Sequence, residues 1–191
     1  IGVPDWRLDK LSDLYRQLIS QKDILITDGL SELEISELEK LLPKISSLCK
    51  KLSGYSIKQT IVQPDFHDNN LLVNDISKKI TIIDLGEIVI SHPFFSLINC
   101  LRQLKKHHAL TDDNDAYQQI RDACLKNYMN GESKQNVLDA FAIAEILLHV
   151  YGALAGYRLM IACGKEKLMA FQPGKFGDEF KALIAACNVS E

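Results

Sequence analysis

The sequence predicts a mostly α-helical α+β fold with one small β-hairpin, and three observations predict it. Apolar residues recur at helical spacing over most of the 191 positions. Residues 71–84 instead give two short apolar runs joined by the turn Asp75-Ile76-Ser77-Lys78. Hydrophobic residues make up 47% and charged residues 25%, the balance of a soluble globular domain. A chain of this length buries roughly 70% of its unfolded surface, so residues 1–191 read as a single domain.

The elements follow in order. Leu8, Leu11, Leu14, Tyr15, Leu18 and Ile19 form a helical stripe over 5–22, with Asp5 as its expected N-cap. Thr27-Asp28-Gly29 breaks the chain, and Ser31 with Glu34 spells a capping box for a second helix to about residue 51. Pro43 lies inside that helix, so a kink or interruption is expected there. Residues 56–62 read as a short strand, and 71–74 and 79–84 as the hairpin. Pro93 fits the first turn of a helix to about residue 107. Asp112 and Asp113 are expected to cap a helix that Gly131 ends, and Ser133 opens the longest helix, to about residue 164. Gly152 and Gly156 within it allow close helix packing. Gln172-Pro173-Gly174 is a turn before a last helix over 176–187.

Composition excludes several function classes. The net charge of −3 comes from 22 basic and 25 acidic residues without a basic run, so nucleic acid is not an expected partner. The five cysteines are odd in number and widely spaced, which suggests neither a zinc site nor a disulfide framework and fits a reducing, cytoplasmic compartment. The apolar stretch 137–163 carries Asp139, Glu145, His149 and Arg158, which argues for a buried core helix and against a membrane span. The chain opens Ile1-Gly2-Val3-Pro4, with no Met and no signal-peptide pattern, and reads as a fragment.

The candidate chemistry lies in Gln63-Pro64-Asp65-Phe66-His67-Asp68-Asn69-Asn70 and in Ile83-Asp84-Leu85-Gly86. Phosphoryl transfer needs a carboxylate that orients a hydroxyl and accepts its proton, and oxygen ligands for magnesium at the nucleotide phosphates. Asp65 suits the first role, and Asn70 and Asp84 the second. Asp65 and Asn70 end one short loop, and a hairpin of this length returns Asp84 to the neighbourhood of Asn70. Taken singly, Asp65, Asp68, Asn69-Asn70 and Asp84 are also ordinary turn formers. His67 reads as a loop-stabilising histidine, with metal ligand or base as the other reading. His107 and His108, after Lys105-Lys106, read as a solvated helix end.

At these residues the sequence resembles the aminoglycoside phosphotransferase and choline kinase-like family, whose loop runs His-Gly-Asp-Leu-His-x-x-Asn and is followed by a strand and Asp-Trp/Phe-Gly. His92-Pro93-Phe94-Phe95-Ser96-Leu97 is similar to a further family segment, and residues 61–104 carry the specific part. The resemblance implies the C-terminal lobe of a protein kinase-like fold with a small catalytic hairpin. It implies an ATP- and magnesium-dependent transfer of phosphate to a small-molecule hydroxyl. Asp65 would be the catalytic base, Asn70 and Asp84 the metal ligands, and Leu72 and Ile83 the floor under the adenine. The sequence departs from the pattern at Gln63 for His, Pro64 for Gly and Ser96 for an acidic residue, the last taken to remove a stabilising contact. No Gly-rich loop or nucleotide-pairing Lys precedes the motif, so the nucleotide-clamping N-terminal lobe is expected outside this chain and the isolated fragment is expected to be inactive. Two other readings stay open: a pseudokinase-like binding or scaffold module, and a helical interaction domain that matches by chance. Glu87, Asp112, Asp113 and Asp115 suit a cationic acceptor and equally suit an ordinary surface.

Overall fold

The computed structural model describes residues 2–188 and is a mostly helical α+β structure with two small, two-stranded antiparallel sheets. The helices are α1 (Leu8–Ile19), α2 (Lys22–Thr27), α3 (Glu32–Ser53), α4 (Phe94–His108), α5 (Asp115–Leu125), α6 (Lys134–Cys163), α7 (Lys165–Phe171) and α8 (Lys175–Asn188). The strands are β1 (Thr60–Val62), β2 (Leu71–Val73), β3 (Ile80–Ile82) and β4 (Val89–Ser91). The chain packs as two compact units. One comprises the residues up to Asp5 together with 55–141, and the other comprises 6–54 together with 142 onward.

The second unit is helical. Leu8, Leu11, Tyr15 and Leu18 of α1 are buried, as are Ile35, Leu38, Ile45 and Leu52 of α3, and these two helices pack on each other. The Tyr15 hydroxyl donates to the Leu38 carbonyl at 2.7 Å, which satisfies the one polar group inside that stripe. The Ser31–Glu34 capping box forms as expected. The helix runs unbroken through Pro43, however. Buried side chains on both sides of the proline outweigh its local cost of ~3 kcal/mol. Gly152 and Gly156 do permit close packing: a Cβ at either would meet Glu179 or Lys175 of α8 at 2.8 Å.

Three expected N-caps are misplaced. Asp5 does not cap α1: it lies in a parallel bridge to Ile90, in the first unit, and Arg7 takes the cap position without a side-chain bond. At α5 the cap is Asn114, not Asp112 or Asp113, and its side chain accepts from the Ala116 and Tyr117 amides. Asp112 is drawn away by Lys105 at 2.6 Å, and Asp113 by the Thr111 hydroxyl. Helix α7 forms between the expected long helix and the Gln172-Pro173-Gly174 turn, where no element is expected.

The first unit carries both sheets. The hairpin is present, with Leu71 opposite Ile82, Leu72 opposite Thr81 and Val73 opposite Ile80. The second sheet, β1 with β4, is an addition to the expected single hairpin. In the same unit Phe94, Phe95, Ile98 and Leu101 of α4 are buried, and Phe94 meets Tyr128 and Phe141 edge to face at 4.9 and 5.8 Å. Helix α6 is the one described helix long and apolar enough to cross a membrane, and 61% of its most apolar window is buried.

Candidate functional site

The β1–β4 pairing encloses the whole motif. Thr60 faces Ser91 and Val62 faces Val89, so the loop after β1 and the turn before β4 leave the same end of one small sheet. The hairpin projects between them, and the Ile83 amide donates to the Asn70 carbonyl at 3.0 Å. That bond extends the ladder one residue beyond β2 and β3, which sets Asp84 beside the Asn70 end of the loop.

Within the loop, residues 68–70 turn as a 3-10 helix whose cap is the His67 side chain. Its Nδ1 accepts from the Asn69 amide at 3.2 Å, so the neutral ring carries its proton on Nε2. That Nε2–H faces Asp65 Oδ2 at 3.3 Å. The Asn70 amide nitrogen lies 2.8 Å from the Asp65 carbonyl and 3.4 Å from the same carboxylate oxygen. Both contacts fall on Oδ2, and Oδ1 is the oxygen left for another partner. The Asp65 side chain is 55% exposed, whereas Asn70 is buried. His67 thus stabilises the loop and also touches Asp65.

Asp84 stands in the left-handed region, φ 56° and ψ 56°, one of three described non-glycine residues with positive φ. Such a conformation costs roughly 1–2 kcal/mol for an L-residue, less for Asp than for most. Its carbonyl accepts a hydrogen bond from the Gln63 side-chain amide. Gln63 is in turn clamped by Ser96, whose hydroxyl accepts from the Gln63 amide and donates to the Gln63 carbonyl, both at 2.8 Å. Ser96, expected to lack the contact an acidic residue would make, therefore makes two. Asn99 adds a third tie, donating to the Phe66 carbonyl at 3.3 Å.

Asp65 and Asn70 are in direct contact, and Asp84 is brought alongside through its backbone. Among the described residues, no hydrogen bond joins the Asp84 carboxylate to Asp65 or Asn70. Leu72 and Ile83 share one face of the hairpin, since Leu72 lies opposite Thr81 and Ile83 opposite Asn70. They are 54% and 36% exposed, which leaves an apolar platform next to Asn70. Among the described residues, no group of three or more His, Cys, Asp or Glu side chains is placed to hold a metal ion.

The roles of Gln63, Ser96 and Asn99 were not legible in the sequence. The first two stood out only as departures from a motif. Gln63 departs in the loop and Ser96 in a later segment, so only the structure pairs them. No family model matches the chain, and no curated protein matches it either.

Proposed function

We propose that this chain is the catalytic, C-terminal lobe of an ATP- and magnesium-dependent phosphotransferase acting on a small-molecule hydroxyl. The observation that carries the reading is the Asp65–Asn70 contact with Asp84 held alongside in a left-handed conformation. The Asp65 and Asn70 side chains meet, and the Ile83–Asn70 backbone bond brings the segment of Asp84 next to them, although each segment alone is ordinary turn chemistry.

Each residue has a distinct task. Asp65 Oδ1 is the oxygen available to orient an alcohol and take its proton, while Oδ2 is held by His67 and Asn70. The Asn70 amide nitrogen is spent within the loop, so its Oδ1 is the atom left for a cation, together with the Asp84 carboxylate. Bound magnesium would neutralise charge on the nucleotide phosphates. Leu72 and Ile83 offer an apolar surface to one face of the adenine. The other face, and the phosphate clamp, must come from a segment that this sequence does not spell. The chain alone is therefore expected to bind Mg-nucleotide weakly and to transfer nothing, in a compartment that keeps its thiols reduced.

Amide spectra of the chain titrated with manganese and ATP test this. Broadening should centre on Asn70 and residues 84–86 and disappear in Asp84→Ala. Broadening spread over the other acidic surfaces, or unchanged in that variant, overturns the assignment. A pseudokinase-like module is the second reading, favoured by Gln63 in place of the expected histidine. In the intact protein Asp65→Asn separates the two: the phosphotransferase loses turnover by orders of magnitude, whereas the binding module has none to lose.

A further inference from the structure

We infer that Gln63 and Ser96 act together as the positioning residues that hold Asp84 in its metal-binding conformation; this rests on the proposed reading of Asp84 as a ligand. The left-handed backbone of Asp84 is unfavourable by itself and persists only where neighbours fix it. Two bonds flank it. The Ile83 amide is tied to Asn70, and the Asp84 carbonyl accepts from the Gln63 amide nitrogen. The second acts on the strained residue itself.

The cost of that second bond is visible. Gln63 is only 6% exposed, and its Oε1 is buried without a hydrogen-bond partner among the described residues. An unsatisfied buried oxygen costs about 1–3 kcal/mol. Turning the amide over would not help, because Nε2 is the donor that Asp84 needs. A side chain suited to packing alone would be apolar here. The glutamine is therefore poor for stability and apt for holding one carbonyl, a balance typical of a residue that serves a site.

Ser96 gives the clamp its rigidity. Its hydroxyl spans both backbone groups of Gln63, so the residue cannot slide along the strand direction. Ser96 itself lies in the first turn of α4, whose Phe94 and Phe95 are fully buried. Constraint thus passes from a packed helix through Ser96 to Gln63 and on to Asp84. These are also two of the positions at which the sequence departs from the family it resembles.

The test uses Gln63→Met, which removes the donor and the orphaned oxygen together. The expected outcome is unchanged or raised stability in urea, amide exchange at 84–87 accelerated by about tenfold, and manganese affinity in the presence of ATP lowered by about tenfold. Gln63→His, which restores one ring donor, should recover most of the affinity. Ser96→Ala should lower affinity in the same direction, and the double variant should be no weaker than the poorer single one, because both act through one bond. Ser96→Ala also serves as the probe should Gln63→Met not fold. Wild-type affinity and exchange in Gln63→Met, or no recovery in Gln63→His, overturn the inference. A wild-type chain with no manganese effect at Asn70 and Asp84 overturns the proposed function instead, and the two failures are told apart by that one spectrum.

Discussion

His92 shows how one residue can set the pH range of the molecule. It is fully buried between Phe94 and Phe95, with ring centroids 4.9 and 6.1 Å away. Its Nδ1 accepts from the Phe94 amide at 3.3 Å, while Nε2 has no hydrogen-bond partner among the described residues. Burial penalises the charged ring and lowers its pKa from 6.5 to about 3. The unfolded chain therefore binds one more proton than the folded chain between those values. The stabilisation is complete above pH 6.5 and is lost as pH falls towards 3. The slope is about 1.4 kcal/mol per pH unit, so roughly 2 kcal/mol should be gone by pH 5. Urea denaturation at pH 7 and pH 5 measures it. His92→Phe should lose about that much less between the two pH values, and an identical loss in both proteins would refute the assignment to His92. The sequence presented His92 only as part of a motif segment. Its burial depends on the packing of α4, which spacing along the chain does not encode.

At the scale of elements, the contacts that sequence periodicity could not reveal are those that join distant segments. Asp28 reads as part of a chain break, and Gly29 beyond it does turn with φ 94°. The Asp28 carboxylate, however, is buried and accepts from the amides of Gly174, Phe176 and Gly177 at 2.8, 2.6 and 3.0 Å. It caps α8 from the far end of the second unit and meets the positive pole of that helix. Hydrogen bonds to a charged acceptor contribute about 1.5–3 kcal/mol each in favourable cases, and they are not additive here. Asp28→Ala should cost about 2–4 kcal/mol in chemical denaturation, against less than about 0.5 kcal/mol for the exposed Asp9→Ala. A loss for Asp28→Ala no larger than that of the control would show that solvent caps α8 equally well. The same blindness explains β4. Ile88-Val89-Ile90 is a short apolar run with no adjacent partner, and its partner β1 lies across the entire motif loop. The hairpin was legible because its strands are neighbours in sequence. The helix stripes of α1 and α3 were legible because each repeats on its own face.

For the whole molecule, the class of fold and the identity of the candidate site residues could be read in order along the chain, whereas the devices that hold the site could not. Asp65, Asn70 and Asp84 are recognisable by type and spacing, but Gln63 acts on a carbonyl 21 positions away and Ser96 on a backbone 33 positions away. The hairpin bears on solution behaviour as well. Apolar side chains stand exposed on both of its faces: Leu72 and Ile83 on one, and Val73, Ile80 and Ile82, at 57%, 63% and 45% exposure, on the other. Monomeric soluble proteins seldom leave such a cluster uncovered. The chain at high concentration is therefore expected to self-associate through this hairpin. Sedimentation should give a mass that rises with concentration for the wild type and a constant monomer mass for Val73→Glu combined with Ile80→Lys, an opposite-charge pair across the two strands. Because both positions are solvent-facing, the double variant should keep its stability within about 1 kcal/mol. It alters only the face opposite Leu72, so manganese broadening at Asn70 and Asp84 should persist. A wild type that stays monomeric throughout shows that the exposed side chains are tolerated individually. Loss of the manganese signal along with association would mean that the two faces of the hairpin serve one site.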